Sequence, residues 1–258
     1  MRPNAYFVLC RALGRLLRSA RYSKAWVVDR QVRKRRSFYA PLLIAMGKPL
    51  MRLLDTGVRV PPQREWEERE RLVYRSLHNT SIRIDADGTL VLPLLAGHTL
   101  ASLLEDPEVE ESVRKKAIEL AVVALAGFHR LEFTHGDAMA ENVMVDLERG
   151  VAHWFDFETL HDSSRPMAWR RADDVRALLA TCLVRTAPAR RADIVQLVLD
   201  GYADTDVLEL LAASFSSIWR RSLAFHLAQA PLSLQGFLQI APLLCHDANS
   251  GEPRAVFQ

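Results

Sequence analysis

The chain has 258 residues, 49% hydrophobic and 25% charged, with a formal net charge of +3. That is an ordinary globular composition, with enough chain for one large domain or two lobes, and it excludes a disordered or low-complexity polymer. Its three cysteines, Cys10, Cys182 and Cys245, are widely spaced and odd in number, which argues against a disulfide framework or a paired zinc-ligand motif and for a reducing, cytoplasmic setting.

Taken in chain order, the amino-terminal end is a cationic patch. Residues 11 to 36 hold Arg11, Arg15, Arg18, Arg21, Lys24, Arg30, Arg33, Lys34, Arg35 and Arg36 against the single acid Asp29. Residues 5 to 20 place Leu9, Leu13, Leu16 and Leu17 at helical spacing with Arg11, Arg15 and Arg18 along another face, the pattern of a basic amphipathic helix. Residues 5–21 are a candidate for peripheral association with an anionic membrane surface, or for packing on the rest of the chain. The apolar patches Phe38 to Met46 and Ala121 to Phe128 are far shorter than the roughly 20 residues a spanning helix needs. Neither a transmembrane segment nor a secretory signal is expected.

Lys24 to Val32 reads as a strand, followed by the basic cluster Arg33 to Arg36 and a helical segment from Ser37 to about Leu54. Pro61 and Pro62 break the pattern, and Gln63 to Leu77 is a charged helix in which Glu70 shares a neighbourhood with Tyr74 and Leu77. Ser81 to Ile84 and Thr89 to Leu95 read as strands joined by the turn Asp85 to Gly88. A short helix from His98 to Leu104 and a long one from Glu111 to Leu131 follow, the second carrying the apolar block and, near its end, His129 as a structural histidine.

The long helix delivers the chain to residues 134 to 159. His135, Gly136 and Asp137 are followed by Asn142, which opens the apolar run Val143 to Val145. After a turn at Glu148 to Gly150, a second run, Val151 to Phe155, delivers Asp156, Phe157 and Glu158. Two short strands with a tight connection pair as a hairpin. Asn142 then enters it where Asp156 leaves, so an amide oxygen and a carboxylate meet at one end. Magnesium favours such hard oxygen ligands together with substrate phosphates, and Asp137 is placed to orient an acceptor hydroxyl or accept its proton.

These residues resemble the catalytic and metal-binding segments of the protein-kinase-like superfamily. The similarity is greatest to the branch that holds aminoglycoside and choline/ethanolamine phosphotransferases, RIO-type kinases and bacterial lipopolysaccharide sugar kinases. It implies an α+β, bilobal kinase-like fold, with a small β-containing N-lobe over residues 1–95 and a mostly helical C-lobe over 96–258. It further implies that Asp137 is the catalytic aspartate, that His135 holds its loop in an architectural role, and that Asn142 and Asp156 bind Mg²⁺. In that family a strand lysine contacts the ATP phosphates and pairs with a helix glutamate; Lys34 is preferred to Lys48, and Glu70 to its neighbours Glu67 and Glu68. The connection around Leu94 to Ala96 would be the hinge whose backbone binds adenine.

An aspartate of the helix beginning near Arg171 would brace the catalytic loop, with Asp174 favoured over Asp173. No glycine-rich phosphate-covering loop precedes Lys34, a departure from the family pattern. Gly136 and Met139 stand where regulated protein kinases carry an arginine and a lysine, and the segment after Asp156 is short. The expected reaction is therefore ATP- and Mg²⁺-dependent phosphoryl transfer to a hydroxyl of a small molecule, sugar or glycolipid. An atypical serine/threonine protein kinase, a pseudokinase or a binding scaffold are the alternatives, and nucleic acid is not the expected partner. Residues 192 to 203, 205 to 229 and 232 to 245 read as helices, Phe215 to His226 among them lining either core or an acceptor pocket.

Overall fold

The structure is a computed structural model, which describes residues 22–53 and 55–216. The basic helix expected over residues 5–20, Cys10, Cys245, and the helical stretches expected beyond residue 216 lie outside the described residues. Within them the chain is α+β, with a small sheet-rich amino-terminal part followed by a helical part.

The first sheet has the order β1-β2-β5-β4 and is antiparallel throughout. Strands β1 (Ser23–Val28) and β2 (Gln31–Arg36) form a hairpin, which corrects the expectation of one strand from Lys24 to Val32. The chain turns at Asp29 and Arg30, both at positive φ (49° and 59°), as a two-residue hairpin turn demands. Neither residue is the glycine or asparagine that normally signals such a turn. As a result Lys34 lies inside β2, opposite Ala25 on one side and Leu90 of β5 (Leu90–Pro93) on the other. The short β4 (Arg83–Ile84) closes the sheet.

Helix α1 (Ala40–Leu53) begins three residues after the expected start and carries Pro49 in its interior. Helix α2 (Gln63–His78) buries Trp66, Glu70, Val73 and Tyr74, an i, i+4, i+7, i+8 stripe that faces the sheet and the core. It ends at Asn79, whose left-handed conformation turns its N–H onto the Tyr74 carbonyl. The two-residue strand β3 (Val58–Arg59) pairs with β9 (Leu160–His161), stitching the amino-terminal part to the segment after Asp156.

In the helical part, α3 (Leu100–Glu105) starts after the two-residue strand β6 (His98–Thr99), where a helix from His98 was expected. The Thr99 hydroxyl oxygen accepts the Ser102 N–H at 3.1 Å, so the cap fixes the later start. Helix α4 (Glu111–Arg130) buries Ala117, Ile118, Ala121, Val122, Leu125 and Phe128. Against it pack α5 (Met167–Val184) and α6 (Arg191–Gly201), and α7 (Thr205–Ser216) packs on α5. The expected hairpin is present as β7 (Val143–Asp146) and β8 (Val151–Trp154), and β6 adds to its edge. Among the described residues no helix is long and apolar enough to cross a membrane.

Gly97 brings the two sheets together, since it ends the link from β5 to β6 with φ +98°, and a Cβ there would stand 2.1 Å from the Val145 carbonyl oxygen. That is a backbone contact that no side-chain rotation relieves. Gly150, in the β7–β8 turn, has φ +65° and open space where its Cβ would be. Chemical denaturation is therefore expected to show Gly97→Ala losing about 3 kcal/mol or more, and Gly150→Ala about 1 kcal/mol from backbone strain alone. Equal losses would contradict the packing described.

Candidate active site

The loop from Thr134 to Asn142 is held by buried polar groups on three elements. Asp174, in the second turn of α5, is 1% exposed. Its carboxylate accepts the backbone N–H groups of His135 (2.6 Å) and Gly136 (2.8 Å), and it meets His129 Nε2 at 3.0 Å. Burial opposes ionisation of Asp174, but His161, His129 and the donated hydrogen bonds outweigh it and hold its pKa below the usual carboxylate value. Arg69 of α2 donates to the Thr134 carbonyl, and the Ala140 N–H donates to Thr181 Oγ1 of α5 at 3.0 Å.

His135 is fully buried. Its Nε2 lies 2.9 Å from the Phe155 carbonyl, and its Nδ1 accepts the Asp137 N–H at 3.3 Å. Desolvation lowers its pKa to about 4, so near neutrality the ring carries one proton, on Nε2, donated to Phe155. The imidazole thus ties Asp137 to the exit of β8. Asn142 completes the frame: its carbonyl accepts the Phe155 N–H at 3.0 Å, and its amide donates to the Asp137 carbonyl (2.8 Å) and to Asp137 Oδ2 (3.0 Å). With its N–H groups on Asp137, Asn142 has its amide oxygen left for another partner.

Asp137 is half-buried. Desolvation first, and then the charge of Asp156, push its pKa up to about 7, against the opposing hydrogen bond from Asn142. Asp156 itself sits at φ +68°, an uncommon conformation for a residue with a side chain. Phe157 after it is fully buried, its ring 5.0 Å from His135, 5.5 Å from Phe128 of α4 and 6.2 Å from Tyr74 of α2. Anchoring Phe157 in the core while the chain reverses at Asp156 directs the aspartate toward the sheet.

There it meets Lys34. The ammonium, whose side chain is 6% exposed, lies 3.1 Å from Glu70 Oε1, 2.5 Å from Asp156 Oδ1 and 3.2 Å from Glu158 Oε1. Burial works against the charge, yet Asp156, Glu70 and Glu158 together raise the lysine pKa well above its usual value. Trp66, one turn before Glu70, donates its indole N–H to Glu70 Oε1 at 3.1 Å and lies under both Lys34 and Arg36. Glu67 is engaged by Gln63, and Glu68 is exposed. Lys48 is exposed on α1, so it is Lys34 that reaches Glu70.

The structure thus gathers Asp137, His135, Asn142, Asp156, Lys34 and Glu70. Leu94 and Ala96 are exposed in the link between β5 and β6, away from these contacts. The helix expected near Arg171 starts at Met167, which moves Asp173 and Asp174 from its amino-terminal end to its second turn. Asp174, not Asp173, holds the loop backbone; Asp173 pairs with Arg176 and His161. Sequence reasoning missed Arg69, His161, Thr181 and the third carboxylate on Lys34, Glu158. It also missed Trp66, for which a signal existed in its i−4 spacing from Glu70.

In comparison with known proteins, no family model matches the chain and no curated protein matches it.

An unfolded aspartate titrates near about 4, so the raised Asp137 value means that its ionisation opposes folding. The stability it contributes is complete below about pH 4 and is lost as pH rises through about 7. Asp137→Asn is expected to raise the melting temperature by a few degrees at about pH 8.5, with a gain that shrinks toward about pH 5. A gain independent of pH would contradict the assigned environment.

Proposed function

We propose that the chain is an ATP- and Mg²⁺-dependent phosphotransferase of the bilobal kinase-like type, with a hydroxyl as acceptor. The observation that carries the reading is the convergence of Glu70 and Asp156 on Lys34. These come from a strand, a helix and the end of a hairpin, 36 and 122 residues from the lysine. A core built for stability alone does not need one ammonium among three carboxylates, since buried charge is costly even when paired. Among the described residues no group of three or more His, Cys, Asp or Glu forms a metal cage, and a magnesium site does not require one.

The residues present fit that ion. Asn142 offers an amide oxygen, and Asp156, 37% exposed at its side chain, offers a carboxylate. With Asp137, Glu70 and Glu158 nearby and Lys34 as the ammonium at their centre, the cluster carries net negative charge and calls for a cation. Bound there, Mg²⁺ would neutralise charge on the phosphates.

The chain's own groups do the rest. Lys34, held in place by Glu70, is the cation directed at the phosphates. The backbone from Leu94 to Ala96 is assigned to adenine. Asp137, braced by His135 and Asn142, orients the acceptor hydroxyl and takes its proton, for which a pKa near the working pH is well suited. Gly136, Met139 and the short segment from Glu158 to Pro166 favour a small molecule, sugar or glycolipid over a protein as acceptor. The catalytic acceleration rests on positioning and charge neutralisation.

The test is ADP formation from Mg·ATP against a panel of sugars, amino alcohols and glycolipids. Asp137→Ala is expected to lower turnover by about 10²- to 10⁴-fold while nucleotide binding persists, and Lys34→Met to weaken turnover and nucleotide binding together. Turnover equal in wild type and Asp137→Ala would refute the assignment. Nucleotide binding with no turnover on any acceptor would favour a pseudokinase or scaffold.

A further inference from the structure

A cavity of about 1050 Å³ lies apart from the carboxylate cluster and includes none of Asp137, Asn142 or Asp156 in its wall. One side is a single face of α1: Pro41, Ile44, Ala45, Lys48, Met51 and Arg52 recur at helical spacing along it. The opposite side comes from the end of β2 at Arg36, the β3 region and the segment around Arg165. The face is apolar at its start and cationic at its end. Phe38, 95% exposed, stands at the apolar mouth.

The charges are unbalanced. Among the described residues, six cationic side chains line the cavity against three acids, Asp55, Asp87 and Asp162. Asp55 is paired with Arg165 and Asp87 with Arg35, and Arg59 is paired with Glu65 outside the wall. Asp162 accepts the Ser164 N–H. That leaves Lys48, Arg52 and Arg36 without a carboxylate within salt-bridge distance among the described residues. Arg36 uses one nitrogen on the Pro61 carbonyl and lies over the Trp66 ring, and its Nε and Nη2, without a hydrogen-bond partner, are sealed from solvent and so do not face the cavity. Burial lowers its pKa, against the attraction of Glu158, Glu67 and Glu70. The exposed guanidinium of Arg52 remains, and a planar fork of donors matches the oxygens of a phosphate or carboxylate.

From this geometry we infer that the cavity is a binding site for an anionic, phosphate-bearing ligand, with Lys48 and Arg52 on the anion and Ile44, Ala45 and Met51 against an apolar body. A phospholipid headgroup region and a free phosphorylated metabolite share this chemistry. The site stands on its own charges and shape, and no part of it depends on the phosphotransfer reading.

The experiment is calorimetric titration of the full chain, without nucleotide or metal, with monomeric dioctanoyl phosphatidate, its neutral counterpart dioctanoylglycerol, and inorganic phosphate. Phosphatidate is expected to bind with one site per chain, and the paired substitution Lys48→Gln, Arg52→Gln, both on the exposed surface of α1, to weaken it at least about tenfold. Phosphatidate binding much more tightly than phosphate assigns a lipid source, and comparable binding of the two assigns a soluble one. Three results overturn the inference: no binding of either anion, affinity unchanged in the paired variant, or dioctanoylglycerol binding as tightly as phosphatidate.

Discussion

One buried ammonium organises this molecule. Lys34 sits in the middle of the four-stranded sheet, and its charge is compatible with that burial only while Glu70, Asp156 and Glu158 surround it. The partners come from two other pieces of chain, α2 and the segment after β8, so satisfying the lysine fixes α2 against the sheet and sets where the chain must go after β8. Trp66 reinforces the arrangement, with its indole N–H on Glu70 and its ring against Lys34. The rigid hairpin and the buried Phe157 exist, in this view, to bring Asp156 to the amine.

A second centre of buried charge, Asp174, holds the loop that carries Asp137. Two backbone N–H groups and His129 converge on its carboxylate, and His135 spans the gap between that loop and the end of β8. The consequence is a division of labour among acids that feel one another's charge. Asp174 is stabilised as an anion by donors on several sides, whereas Asp137, with Asn142 as a neutral donor and Asp156 as a like-charged neighbour, is held at about 7. Environment, and not residue type, separates a structural carboxylate from one able to exchange a proton.

Much of this was legible in the sequence because it is written in short-range spacing. His135, Asp137, Asn142 and Asp156 fall within one hairpin and its approach, where a period-two pattern and a glycine-containing turn define the geometry. The preference for Lys34 came from its nearness to a strand, and the reading had the strand wrong. The Asp29–Arg30 turn adopts positive φ with no glycine to announce it, so a hairpin looked like one strand and a basic tail. Strands β3 and β9 have two residues each and leave no periodic trace. Arg69, His161 and Thr181 act through tertiary contacts 65, 27 and 41 residues away in sequence, and no local pattern encodes those. The cavity beside α1 was hidden for the same reason: its wall joins one face of α1 to the β3 region and the segment around Arg165, which are far apart in sequence.

The central claim is that Lys34, Asn142 and Asp156 form a nucleotide–metal site, and the most direct measurement is thermal unfolding with and without Mg·ATP in wild type and Asp156→Asn. A ligand at a hundred times its dissociation constant stabilises by about 2.7 kcal/mol, roughly 5 to 10 °C for a chain of this size. The account predicts a shift of that order in the wild type, abolished by chelating the magnesium and absent in Asp156→Asn. A shift that survives both the chelator and the substitution, or no shift at millimolar Mg·ATP, would contradict it.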